Sequence, residues 1–93
     1  MREMTKQERG TAFNIIQSHL DYENYGMTAP TRYRGTMRER MDFRESGWFV
    51  DWNHSVITLN DEVAYRIHKK YASRKVNGMH KCLKPTIEYT GSL

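Results

Sequence analysis

The chain has 93 residues, of which 38% are apolar, and its fifteen Lys or Arg against eleven Asp or Glu give a net charge of +4. Two Trp, six Tyr and three Phe argue against a wholly disordered chain, which would lack such core pieces. The longest aromatic or aliphatic run is about three residues, against the roughly 20 that a bilayer span needs.

Nothing at the N-terminus has the charged-then-apolar pattern of a leader. The single cysteine, Cys82, excludes an intrachain disulfide and suits a reducing, cytoplasmic setting. The expectation is one small α+β domain over residues 1–93, with 1–4 and 90–93 frayed.

The charge is unevenly placed. Residues 1–30 carry −1, residues 31–47 carry +2, residues 48–62 carry −3 and residues 63–93 carry +6. Attraction to a polyanion would concentrate in the last third, helped by the arginines of 31–44.

The first element reads as a helix. Thr5 and Glu8 stand in capping-box spacing, and Phe13, Ile16 and Leu20, with Ala12 and Ile15 beside them, form one apolar stripe. Gly10 weakens the first turns, so the spacing predicts a start nearer Thr11. Gly26 provides a left-handed cap, and Met27–Thr31 reads as a loop because Pro30 pushes Ala29 out of helical angles.

Residues 31–44, TRYRGTMRERMDFR, place Arg32, Arg34, Arg38, Arg40 and Arg44 on even positions, with Tyr33, Met37, Met41 and Phe43 on odd ones. Alternation predicts a strand, ordered from about Met37, although Thr36 and Glu39 also match a capping box. Taking Ser46-Gly47 and Asn53-His54 as two-residue turns gathers Met41, Phe43, Trp48, Val50, Trp52, Ile57 and Leu59 on one face. In that register Val50 faces Ile57 and Trp48 faces Leu59. Two features count against it: Asp42 would face Asp51, and Glu39 would point to the apolar side.

Asn60 as N-cap, acidic Asp61 and Glu62, and the stripe Val63, Ile67, Tyr71 predict a second helix ending at Val76-Asn77-Gly78. A short strand is expected around Thr86–Tyr89. The predicted order is thus α-β-β-β-α with a last short strand. Two helices cover the Trp-rich sheet face, and the other face shows Arg38, Arg40, Arg44 and Phe49.

Two basic surfaces follow. One is the helix stripe Arg66, Lys70 and Arg74, with Lys69, Lys75, Lys81 and Lys84 nearby; the other is the strand bearing Arg38, Arg40 and Arg44. Tyr33 and Phe49 are the stacking candidates. Each has a plain alternative: cations favoured near a helix C-terminus, and Arg stems lying over Phe49 and paired with Asp42 and Asp51.

His80 and Cys82 lack two further ligands for a structural zinc site, so no metal or cofactor is expected. His19, Asp21, Glu23, Asp51 and His54 could in principle yield an acid–base pair, but no catalytic motif accompanies them, and His19 and Glu23 read as an ordinary i, i+4 pair. An enzyme is not expected.

The expected function is a non-enzymatic binding module that contacts DNA or RNA through its basic surfaces. The alternative is a small regulator or inhibitor, of the type found among phage and mobile-element accessory proteins. It would dock on an acidic or nucleic-acid-binding protein. A strand at 32–44 would also leave an edge for a second copy.

Overall fold

The computed structural model describes residues 1–26 and 33–92. Its element order is α1 (Lys6–Tyr25), α2 (Met37–Glu45), β1 (Trp48–Asp51), β2 (Val56–Leu59), β3 (Glu62–Val76) and β4 (Met79–Tyr89). The strands form one antiparallel sheet in the order β1-β2-β3-β4. The chain is therefore α+β, as its patterning implied, but the order of elements differs from the expected one. No helix among the described residues is long and apolar enough to cross a membrane.

The capping box of α1 forms as the spacing predicts. The Glu8 amide donates to the Thr5 hydroxyl at 3.1 Å, and the Thr5 amide donates back to the Glu8 carboxylate at 2.9 Å. The helix starts at Lys6 rather than near Thr11, and Gly10 lies inside it. A glycine there costs about 1 kcal/mol. The box opposes that cost, and so does Arg2, which grips Glu8 at 2.6 and 2.8 Å. Ala12, Ile15, Ile16 and Leu20 are buried. Gly26 closes the helix with φ 57°, although ψ −128° takes it out of the left-handed helical region. The loop expected over Met27–Thr31 lies outside the described residues.

Residues 37–44 are helix, not strand. The Glu39 amide donates to the Thr36 hydroxyl at 3.1 Å, so the cap that competed with alternation is the one that forms. Coiling removes both defects of the strand reading. Asp42 no longer faces Asp51; it pairs with Arg38 at 3.2 Å, four residues back. Glu39 turns to the cap. Of the odd positions, only Phe43 enters the core, against the Trp48 ring at 6.2 Å, while Met41 is left 49% exposed. Met, Arg and Glu are good helix formers, so nothing local opposes α2. Ser46-Gly47 is thus the α2–β1 turn and not a hairpin. Gly47 suits that turn because its φ is 95°, a conformation that side-chain-bearing residues rarely adopt, and an added Cβ would also displace the Asn60 side chain.

The β1–β2 register is the predicted one, with Trp48 opposite Leu59 and Val50 opposite Ile57. Trp48, Val50, Trp52 and Ile57 are buried, with Leu59 packed against them.

The segment read as a second helix is β3. Its two apparent helix caps are hairpin turns: Asn60 and Asp61 have φ 49° and 68°, and Asn77 and Gly78 have φ 52° and 81°. Positive φ at both central residues is what a type I′ turn requires. Spacing four, which carried the helix reading, also keeps parity along a strand. A bulge at Ala64 lets consecutive Ala64 and Tyr65 both be buried. A second irregularity leaves Lys84 and Pro85 against Lys69 alone, which accommodates a proline that has no N–H to give.

The ends are tied to the body. The Met4 amide donates to the Tyr65 hydroxyl at 2.8 Å, and Thr90 and Gly91 donate to the Ala64 carbonyl at 2.8 and 3.1 Å. α1 crosses one sheet face. On the other, Phe49, Arg66, His68 and Lys70 are exposed, rather than the three arginines expected there, which lie on α2.

Candidate nucleic-acid interface

β2 pairs with β3 only as far as Arg66. Beyond it, β3 and β4 continue alone as a two-stranded ribbon, and the molecule measures 42 × 27 × 20 Å. Residues 69–87 of this ribbon hold Lys69, Lys70, Arg74, Lys75, Lys81 and Lys84 and no carboxylate. None of the six forms an ion pair among the described residues. The pairs there are Arg2–Glu8, Arg34–Asp21, Arg38–Asp42, His54–Asp51 and His68–Glu88.

The six cations divide by environment. Lys69 sits 4.2 Å over the Trp52 ring, Lys81 4.2 Å over Tyr25 and Lys84 5.0 Å over Phe13, all toward α1. Lys81 also donates to the Asn24 carbonyl at 3.1 Å. Lys70 is on the opposite face, opposite Leu83, while Arg74 and Lys75 approach the tip. The ribbon therefore presents charge on both faces and at its end. Arg66 joins the Lys70 face at the ribbon's base.

The base is fixed by α1. The Asn24 side-chain amide donates to the Cys82 carbonyl at 2.9 Å and accepts from the Cys82 amide at 2.7 Å. It stands in for one residue of a fifth strand and closes that stretch of the β4 edge. One Glu23 oxygen accepts from the Trp52 indole at 3.1 Å and the other from the Tyr71 hydroxyl at 2.9 Å. That bond pushes the Tyr71 pKa up to about 12. Burial raises the Cys82 thiol, leaving it a packing residue. His80, two residues before it, bonds the Ala72 carbonyl at 2.7 Å.

A second basic locus lies between α1, α2 and β1. Ile15, Phe43, Trp48 and Val50 floor a cavity of about 210 Å³, with Arg40, Arg44, His19 and Phe49 around it. Arg40 and Arg44 are one turn apart, and neither has an ion pair among the described residues, whereas Arg38 is bound to Asp42. His19 separates this cavity from a hollow lined by Tyr22, Glu23, Trp52, Asn53 and Lys69. His19 and Glu23 thus share that hollow without the i, i+4 pairing expected of them. His19 stacks on Trp52 at 5.7 Å, and burial, followed by Arg40 and Lys69, lowers its pKa.

Of the two stacking candidates, Phe49 is 57% exposed, but Tyr33 is half-buried with the Arg40 guanidinium 5.0 Å over its ring. Asp21 is engaged by Gln17 at 3.0 Å and Arg34 at 3.6 Å, and Asp51 by His54 at 2.9 Å on an exposed turn. No Ser, Thr or Cys lines either hollow. No group of three or more metal-ligating side chains occurs among the described residues.

Sequence reasoning missed the ribbon itself and the roles of Asn24 and His19. The signal for the ribbon was present in the Asn77-Gly78 dipeptide itself, a strong hairpin mark. No family model matches the chain, nor does any curated protein or solved structure.

Proposed function

We propose that the protein is a non-enzymatic nucleic-acid-binding module whose contact element is the β3–β4 ribbon. The observation that carries this reading is the run of six cations in 69–87 without a carboxylate, on a two-stranded projection. A two-stranded β-ribbon fits the major groove of duplex DNA. There it lies between two phosphate backbones, which suits charge on both of its faces. The deep, narrow major groove of duplex RNA does not admit it, so DNA is the favoured duplex.

Lys70, Arg74 and Lys75 have no partner among the described residues and are the principal phosphate contacts; Lys69, Lys81 and Lys84 would have to leave an aromatic face to add to them. Three to six contacts imply a log–log salt slope of about −3 to −5. Affinity for a labelled DNA duplex, read by fluorescence anisotropy, should therefore fall about 10²-fold or more between roughly 50 and 200 mM salt. Lys70→Ala with Arg74→Ala and Lys75→Ala should flatten the slope by about 3. Salt-insensitive binding, or a triple variant that binds like the parent, would discard the reading.

One observation favours the second reading, a protein-docking regulator: Met37 and Met41, one turn apart on α2, are 65% and 49% exposed. Copurification with and without nuclease separates the two. A partner that survives nuclease supports docking on protein, and one that disappears supports nucleic acid.

A further inference from the structure

Depth in the cavity between α1, α2 and β1 is ordered. Ile15, Phe43, Trp48 and Val50 are buried, Arg40 is half-buried, and Arg44 and Phe49 are exposed. The interior is apolar and aromatic, and the cations stand outside it. No carboxylate lines it. Elsewhere the described arginines of the body with a fixed partner, Arg2, Arg34 and Arg38, each have one carboxylate. Arg40 and Arg44 have none; they sit at helical spacing on one side of α2, and Arg40 would leave the Tyr33 ring, 5.0 Å from its guanidinium, to meet a ligand.

Two guanidinium forks of total charge +2 match a phosphate, which carries about −1.5 to −2 as a monoester. A single carboxylate would leave one fork unanswered. A dry cavity of about 150 Å³ holds one benzene, so the 210 Å³ here takes one six-membered ring with its substituents. His19 supplies a hydrogen-bonding edge at the wall. Burial first, then Arg40 and Lys69, lowers its pKa and so favours the neutral imidazole, which offers a donor and an acceptor to a base.

We infer that this cavity binds one unstacked pyrimidine nucleotide, with the base inside on Phe43 and Val50 and the phosphate outside on Arg40 and Arg44. The order of depth excludes the other common ring-and-phosphate group. In a phosphotyrosyl peptide the phosphate is at the far tip of the ring and would have to enter first, into the apolar floor. A nucleotide enters base first and leaves its phosphate at the rim. The same chemistry comes from a free pyrimidine monophosphate or from an unpaired residue of a strand. For the strand source, the inference rests on the nucleic-acid reading above.

The test is a titration of ¹⁵N-labelled protein, followed by amide and side-chain shifts. The probes are uridine monophosphate, adenosine monophosphate, uridine, inorganic phosphate, phosphotyrosine and a short oligothymidylate. Uridine monophosphate should shift His19, Arg40, Phe43 and Arg44 and saturate by about 1–10 mM. It should bind more tightly than adenosine monophosphate, uridine or phosphate. Arg44→Ala, at an exposed helical position, should weaken it about tenfold while leaving uridine unchanged. Val50→Leu, which fills the floor, should weaken uridine monophosphate and uridine alike.

If oligothymidylate produces the same shifts, the source is a strand; if only the mononucleotide does, it is the free ligand; both support the site. Phosphate binding as tightly as the nucleotide, phosphotyrosine binding more tightly, or no shift at His19 and Phe43 by about 10 mM would overturn it. Failure here is distinct from failure of the ribbon reading. The ribbon triple variant should lose duplex affinity yet keep uridine monophosphate affinity, and Arg44→Ala should do the reverse.

Discussion

In the body, each indole meets a carboxylate on α1: Trp48 donates to Glu8 at 3.0 Å and Trp52 to Glu23 at 3.1 Å. In the ribbon beyond Arg66, six cations have no carboxylate between them, and Tyr71, Val76 and Leu83 are exposed. The body's two buried indoles are each answered by a carboxylate because buried polar groups without partners are costly, although Arg40 and Arg44 at its surface have none among the described residues. In the ribbon Lys70, Arg74 and Lys75 can stay single because water solvates them, and single cations are what a polyanion can recruit. Stability and binding should therefore respond to different residues.

The largest effect should come from the body. Trp48 is 1% exposed and packs on Phe43 and Tyr65, so Trp48→Ala should cost about 3–5 kcal/mol in urea unfolding. Lys70→Ala, Arg74→Ala and Lys75→Ala should each stay within about 0.5 kcal/mol. A ribbon variant as destabilising as Trp48→Ala would erase the distinction.

Glu8 comes next. It answers Arg2, the Thr5 amide and the Trp48 indole together, and the hydrogen bond from Arg2 chiefly holds its pKa down at about 2. The folded pKa lies below the unfolded value of 4.5. Its contribution is therefore complete above that value and is lost as the pH falls from there toward 2. Unfolding free energy should drop by about 2 kcal/mol across that window, after allowing for the half-exposed Arg2. Glu8→Gln should flatten this dependence. An unchanged acid limb in the variant would place the dependence elsewhere.

Asn24→Ala should cost about 1–2 kcal/mol, since it frees both backbone groups of Cys82 at the ribbon's base. Hydrogen exchange should rise at Cys82 and its neighbours while the amide of Ile57 keeps its protection. Uniform loss of protection would mean that ribbon and body unfold as one. The smallest change is Gly78→Ala. Nothing crowds the position, but φ is 81°, so only backbone strain of about 1 kcal/mol is expected, confined to the tip.

Much of the body was legible from local pattern. The Thr5–Glu8 box, the apolar stripe of α1, and the pairing of Val50 with Ile57 each depend on residues whose alternatives were few. The two segments on either side of that hairpin were read in exchanged roles. MRERMDFRE has alternation weak enough for a helix to override. The segment from Glu62 to Val76 repeats its apolar residues every four positions, which satisfies a helix face and strand parity alike. The grouping of the basic residues changed less than the elements that carry them, because charge depends on composition. Arg40, Arg44 and Phe49 still meet at one cavity, on a helix and a strand instead of two strands. Arg66, Lys70 and Arg74 still share one element, though as part of a ribbon.

The sequence by itself determined where charge accumulates, which residues are large enough to make a core, and the register of β1 on β2. Tertiary structure decided whether Asn60-Asp61 and Asn77-Gly78 were helix caps or hairpin turns. The physical reason is that the same residues tolerate both conformations at similar local cost. β2 offers β3 a free row of backbone donors and acceptors, and α2 can bury Phe43 without a strand partner; no window of sequence contains either fact.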